Sequence, residues 1–105
     1  MSSKDSEIVK QIKVTVLGID PSADVIIYGS RARGENHPDS DLDILILVDS
    51  DVDLEYERIF RHKLYDLELE SGIAFSVTVQ NKIEWDSRFW MTPLFQNISR
   101  EGIRL

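Results

Sequence analysis

Apolar residues recur along this chain in two rhythms. Ile8, Ile12, Val16 and Ile19 stand three or four apart with Lys4, Lys10 and Lys13 among them, which predicts an amphipathic helix ending near Gly18. Val25-Ile26-Ile27-Tyr28 and Ile44-Leu45-Ile46-Leu47-Val48 are instead unbroken apolar runs bounded by turn formers, and they read as buried strands. Between them, Ser30 to Ala32 suits a short helical turn, and Gly34, Asn36, His37-Pro38 and Ser40 mark a loop. Tyr56, Ile59, Phe60, Lys63, Leu64 and Leu67 form one stripe of a long helix from Leu54 to about Glu70, with Asp51 or Asp53 as N-cap and Gly72 as its stop. Ile73, Phe75, Val77 and Val79 then alternate with Ala74, Ser76 and Thr78, the signature of a half-buried strand. Asn81 followed by Glu84 is a capping-box pattern opening a helix from Ile83 to Trp90. Thr92-Pro93 opens a last one carrying Leu94, Phe95, Ile98 and Ile103.

Connection lengths constrain the topology. Ten residues separate Ser30 from Asp41, fewer than the dozen or more that a parallel crossover needs, so the first two strands are expected to pair antiparallel. The long helix supplies a proper crossover, placing the third strand parallel to the second with a right-handed connection. The expected fold class is α/β (α+β): a small mixed three-stranded sheet with helices packed on it, in a single domain spanning residues 1–105.

Composition narrows the function classes. No stretch approaches the ~20 apolar residues that span a bilayer, and the polar start Met1-Ser2-Ser3-Lys4-Asp5 is unlike a signal peptide. The absence of cysteine excludes disulfides and thiolate metal sites and is compatible with the cytoplasm. A net charge of −7 repels nucleic acid as a general binder, so any nucleotide contact is expected to be local and metal-mediated.

The chemistry gathers where the two buried runs end and begin. Gly29-Ser30 closes the first run, and a glycine there lets backbone approach a ligand while the following turn presents free N–H groups, a seat for phosphate. Ser30 adds a hydroxyl; Arg31 and Arg33 add cationic donors suited to phosphate oxygens. Asp41 and Asp43 lie two apart at the start of the second run, so their side chains leave one face roughly 7 Å apart at the base. Such a pair of oxygen ligands suits Mg²⁺ shared with a triphosphate. Asp49, Asp51 and Asp53, ~20 Å from Asp43 along the strand, read as caps and solvated charges. His37 and His62 have no partners at metal-ligand spacing, and Trp85, Phe89, Trp90 and Phe95 read as core or a partner-binding face.

Gly-Ser-Arg-Ala-Arg-Gly at 29–34 with Ser-Asp-Leu-Asp-Ile at 40–44 resembles the minimal nucleotidyltransferases, of the superfamily related to DNA polymerase beta, over about residues 5 to 105. The resemblance implies the nucleotidyltransferase fold and transfer of a nucleotidyl group, most simply AMP from Mg-ATP, to a hydroxyl of a protein or nucleic-acid acceptor. Asp41 and Asp43 would be the catalytic and Mg²⁺-binding residues, with Gly29, Ser30, Arg31 and Arg33 on the phosphates. It further implies a separate partner of the HEPN type and an antitoxin-like role. Active members carry a third carboxylate on the strand after the long helix, whereas here that face carries Ala74, Ser76 and Thr78, with Glu68 and Glu70 left on the helix end. The alternative is therefore a catalytically weakened binding module acting as an antitoxin-like or regulatory partner.

Overall fold

A computed structural model describes residues 2–35 and 40–105, so the predicted loop positions Asn36, His37 and Pro38 lie outside the described residues. Helix α1 (Ser3–Ile19) opens on Ser2, whose hydroxyl accepts from the Asp5 amide, and buries Asp5, Ile8, Val9, Ile12 and Val16. Strand β1 (Asp24–Tyr28) leads into a single turn, α2 (Gly29–Ala32), and strand β2 (Leu42–Val48) follows. Helix α3 (Leu54–Ser71) is capped by Asp53 and closed by Gly72 in the left-handed conformation, as the spacing predicts. Strand β3 (Phe75–Asn81), helices α4 (Lys82–Arg88) and α5 (Pro93–Glu101), and a two-residue strand β4 (Ile103–Arg104) complete the chain.

The sheet order is β3-β2-β1-β4. β1 pairs antiparallel with β2 and β2 pairs parallel with β3, as expected from the connection lengths. The expectation of three strands is corrected: β4 pairs antiparallel with β1, and Ile103, assigned to the last helix from its apolar character, belongs to that strand. Two residues are too few to display an alternation, which is why no strand is legible there. β3 also begins two residues later than Ile73, because the turn out of Gly72 consumes Ile73 and Ala74 before Phe75 meets Leu42 in register. Asn81, which closes β3 beside Val48, caps α4 through its side chain, accepting from the Ile83 and Glu84 amides. That helix stops at Arg88 rather than Trp90, which is exposed.

Strand alternation divides the core by face. Val25, Ile27, Leu42, Ile44, Ile46, Val48, Val77 and Val79 point to one side, where α1 and α3 cover them with Ile12, Val16, Phe60 and Leu64. Ile26, Leu45 and Leu47 point to the other, beneath Trp85, Ile98, Phe89 and Phe95 of the last two helices and their connection. Both faces of β2 are thus sealed, which is why its run is continuous rather than alternating. At ~1.5–3 kcal/mol for each large apolar side chain fully buried, the two layers together hold β2 in place from both faces. Asp43 is the polar position on that strand.

Candidate active site

Asp43 shares its face of the sheet with Leu45 and Leu47, but it stands at the open end, beyond the reach of their apolar cover. Directly across the antiparallel ladder is Tyr28, and directly across the parallel ladder is Ser76. Tyr28 extends over β2 to hydrogen-bond with Thr78. The floor of the site is therefore a row of hydroxyls, Tyr28, Thr78 and Ser76, around one carboxylate. Burial pushes the Tyr28 phenol above its ordinary value, and the Asp43 charge pushes it further.

Gly29 closes over this floor. Its φ is +81°, and a Cβ built on it would stand 2.1 Å from Asp43 Oδ2 and 3.1 Å from Cγ. The carboxylate thus occupies the space in which any other residue would carry its side chain, and only glycine combines that backbone with that approach. Backbone hydrogen bonds hold the turn itself: the Arg33 amide donates to the Gly29 carbonyl at 3.2 Å, and the Glu35 amide donates to the Ser30 carbonyl at 3.0 Å. The first turn of α2 has no side-chain cap, so its leading N–H groups have no side-chain oxygen to satisfy them. Ser30 is half-buried beside them.

Asp41 is exposed, one residue before β2, and lies near enough for its charge to act on Asp43. The two acids feel one another: loss of solvent raises the Asp43 carboxyl above its ordinary value, and the Asp41 charge raises it again, while Arg33 opposes both. Two like charges held together on a partly desolvated rim are a donor set that a divalent cation would relieve. Among the described residues no group of three or more His, Cys, Asp or Glu side chains could hold a metal by itself. Ser76 and Thr78 occupy the neighbouring strand on Asp43's face, and α3, with Glu68 and Glu70 at its end, packs against the opposite face.

The two arginines diverge. Arg33 is exposed and ion-paired with Glu35 at 3.2 Å and Glu101 at 3.0 Å, close enough to Asp43 to act on its charge. Arg31 is nearly buried, and its guanidinium is committed elsewhere, donating through Nη1 to Asp5 at 3.1 Å and through Nε to the Ser40 carbonyl at 2.7 Å. Gly29, Ser30, Asp41, Asp43 and Arg33 are thus brought to one rim, while Arg31 faces helix α1. Asp5 is the residue that sequence reasoning passed over. Its signal was present, since an acid at position 5 continues the apolar stripe of Ile8, Ile12 and Val16.

A family model described as a nucleotidyltransferase domain matches residues 7–101. The chain belongs to the nucleotidyltransferase domain family. The match takes in both α2 and β2, so the glycine-serine turn and the paired aspartates fall within the family's domain. No curated protein matches the chain. The mixed sheet with helices on both faces is the nucleotidyltransferase fold that the motif implied, with β4 added at its edge. A nucleotidyltransferase domain implies a nucleoside triphosphate as substrate, and among the described residues no helix is long and apolar enough to cross a membrane.

Proposed function

We propose that this nucleotidyltransferase domain transfers AMP from Mg-ATP to a hydroxyl of a separate acceptor. The observation that carries the reading is the approach of Gly29 to Asp43, with a Cβ position 2.1 Å from the carboxylate, which supports a bare backbone turn and an acid working at one rim. Gly29 leaves room for the Asp43 carboxylate beside the turn, and Ser30 with the uncapped N–H groups of α2 would donate to phosphate oxygens. Arg33 adds positive charge at the same rim. Asp41 and Asp43 are the residues that would hold Mg²⁺, which when bound supplies the charge neutralisation that lets an anionic triphosphate approach two carboxylates. The acceptor hydroxyl attacks the α-phosphorus in line; a new P–O bond forms as the bond to pyrophosphate breaks. With Ser76 in register beside Asp43 where an acid would be useful, the hydroxyl's proton is taken by a group that the acceptor brings. A protein partner of the HEPN type suits this role, and Ile83, Trp90, Met91 and Leu94 offer it exposed apolar surface along α4, α5 and the turn between them.

One observation favours a second reading. On the face that carries Asp43, β3 holds Ser76 and Thr78 rather than an acid, so the domain could bind nucleotide without turning it over and act by contact, as an antitoxin-like or regulatory module. Calorimetry with Mg-ATP on the unaltered chain and on Asp41→Asn/Asp43→Asn tests the shared site: binding by the first and not by the second is expected, and no binding by the unaltered chain refutes both site and function. Incubation of the chain and candidate partners with α-labelled ATP then separates the readings. Label on a partner supports transfer, and binding without label on any of them selects the module.

A further inference from the structure

Asp41 precedes the first ladder residue of β2, so the sheet alone does not orient it. Two hydrogen bonds flank it. On its far side the Leu42 amide donates to the Ala74 carbonyl at 2.8 Å, and on its near side the Ser40 carbonyl accepts from Arg31 Nε at 2.7 Å. The Ser40 carbonyl belongs to the same rigid peptide plane as the Asp41 amide, so fixing that oxygen fixes the plane from which the Asp41 Cα departs. Arg31 is itself fixed, since its Nη1 donates to Asp5 at 3.1 Å, and the two side chains are only 14% and 6% exposed. Asp5 in turn is buried on the core stripe of α1. A chain of contacts therefore runs from the helical layer through one guanidinium to the backbone beside the outer aspartate.

We propose that Arg31 is a positioning residue for the acid pair, holding the Ser40–Asp41 peptide so that Asp41 stands over the same space as Asp43. This deepens the proposed function and rests on the reading of the two aspartates as cation ligands. The planar fork of an arginine is what the task needs, because Nε and Nη1 reach acceptors on two different elements at once, whereas a lysine brings one ammonium to one of them. It follows that charge and aim are separable. Arg31→Lys keeps a cation beside buried Asp5 but gives up the bond to Ser40; Asp5→Asn keeps the bond to Ser40 but leaves the buried guanidinium without an opposite charge.

The test is a Mn²⁺ titration in the presence of ATP, followed by calorimetry and water-proton relaxation, on the full chain and both variants, with Tm measured on each. A residue acting only through stability would make binding follow Tm. The expected result is a crossed order: Asp5→Asn has the larger fall in Tm yet binds Mn·ATP within about twofold of the unaltered chain well below its Tm. Arg31→Lys has the smaller fall in Tm yet binds about tenfold more weakly, as losses of groups that orient metal ligands do. Binding that ranks with Tm, or Arg31→Lys binding as well as the unaltered chain, overturns the positioning role and leaves the acid pair's role standing. Failure of the unaltered chain to bind Mn·ATP overturns both.

Discussion

Gly29→Ala is the substitution whose outcome the site geometry determines most directly. Two separate costs apply. At φ +81° the backbone lies in the left-handed region, where a Cβ costs ~1–2 kcal/mol. The same Cβ would lie 2.1 Å from Asp43 Oδ2, more than an ångström inside ordinary van der Waals contact, so the carboxylate must leave its position. Moving it off a favoured rotamer costs a further ~0.5–1.5 kcal/mol. The total of about 2–3 kcal/mol corresponds to a fall in Tm of about 10–15 °C in a domain of this size. Gly34→Ala is the internal control: its φ is +79° but nothing among the described residues lies within 4 Å of the added Cβ, so the backbone cost applies without that clash and the fall should be about half as large. Differential scanning calorimetry with and without Mg-ATP reads both effects. Ligand at a hundred times Kd should stabilise the unaltered chain and Gly34→Ala by ~2.7 kcal/mol, and should do nothing for Gly29→Ala, whose carboxylate has been displaced. Equal falls in Tm for the two variants, with the Mg-ATP gain kept by both, would refute the reasoning.

Two further outcomes follow from the same rim. Because burial and then the Asp41 charge raise the Asp43 carboxyl above its ordinary 3.8, the native state holds that proton more tightly than the unfolded chain does. Stability is therefore lost as pH rises through the raised native value, and Asp43→Asn should be the more stable protein at pH 7 in denaturant melts, its advantage vanishing below about pH 4; a variant less stable than the parent at neutral pH sinks this account. Ser76 sits opposite Asp43 in register, so Ser76→Asp should raise the Mn²⁺ stoichiometry measured with ATP from one ion to two, while costing the metal-free chain up to ~1 kcal/mol from like charges across the ladder. An unchanged stoichiometry would show that the register does not bring the new acid to the site.

Most of the fold was legible because its elements are long enough to show their period. The apolar runs of β1 and β2 are continuous for a reason that the structure displays, helices on both faces, and connection length alone settled which neighbours run parallel. The misreadings occur where the period is too short or two roles share a residue. β4 is two residues long, and Ile103 looked like one more apolar position of α5. Asn81 is both the last residue of β3 and the cap of α4, so a boundary drawn by alternation ends the strand early.

The site divides differently, into what spacing encodes and what only packing reveals. Gly29 and Asp43 are fourteen positions apart in the sequence, and antiparallel pairing places Tyr28 opposite Asp43, so the meeting of turn and acid is implied by strand order once the pairing is known. The division of labour between the arginines is not implied by anything local. Arg31 and Arg33 differ by two residues on one turn, so they leave it in different directions, one toward the helical layer and one toward the rim. Which is which depends on a single buried acid twenty-six residues earlier, placed by the amphipathic stripe of α1. A charged residue on an apolar stripe is costly unless an opposite charge meets it, so Asp5 by itself announces that some cation must come to α1. In a motif with two arginines, the one that answers that demand is turned toward α1, and Arg33 is the one whose charge acts on Asp43 at the rim.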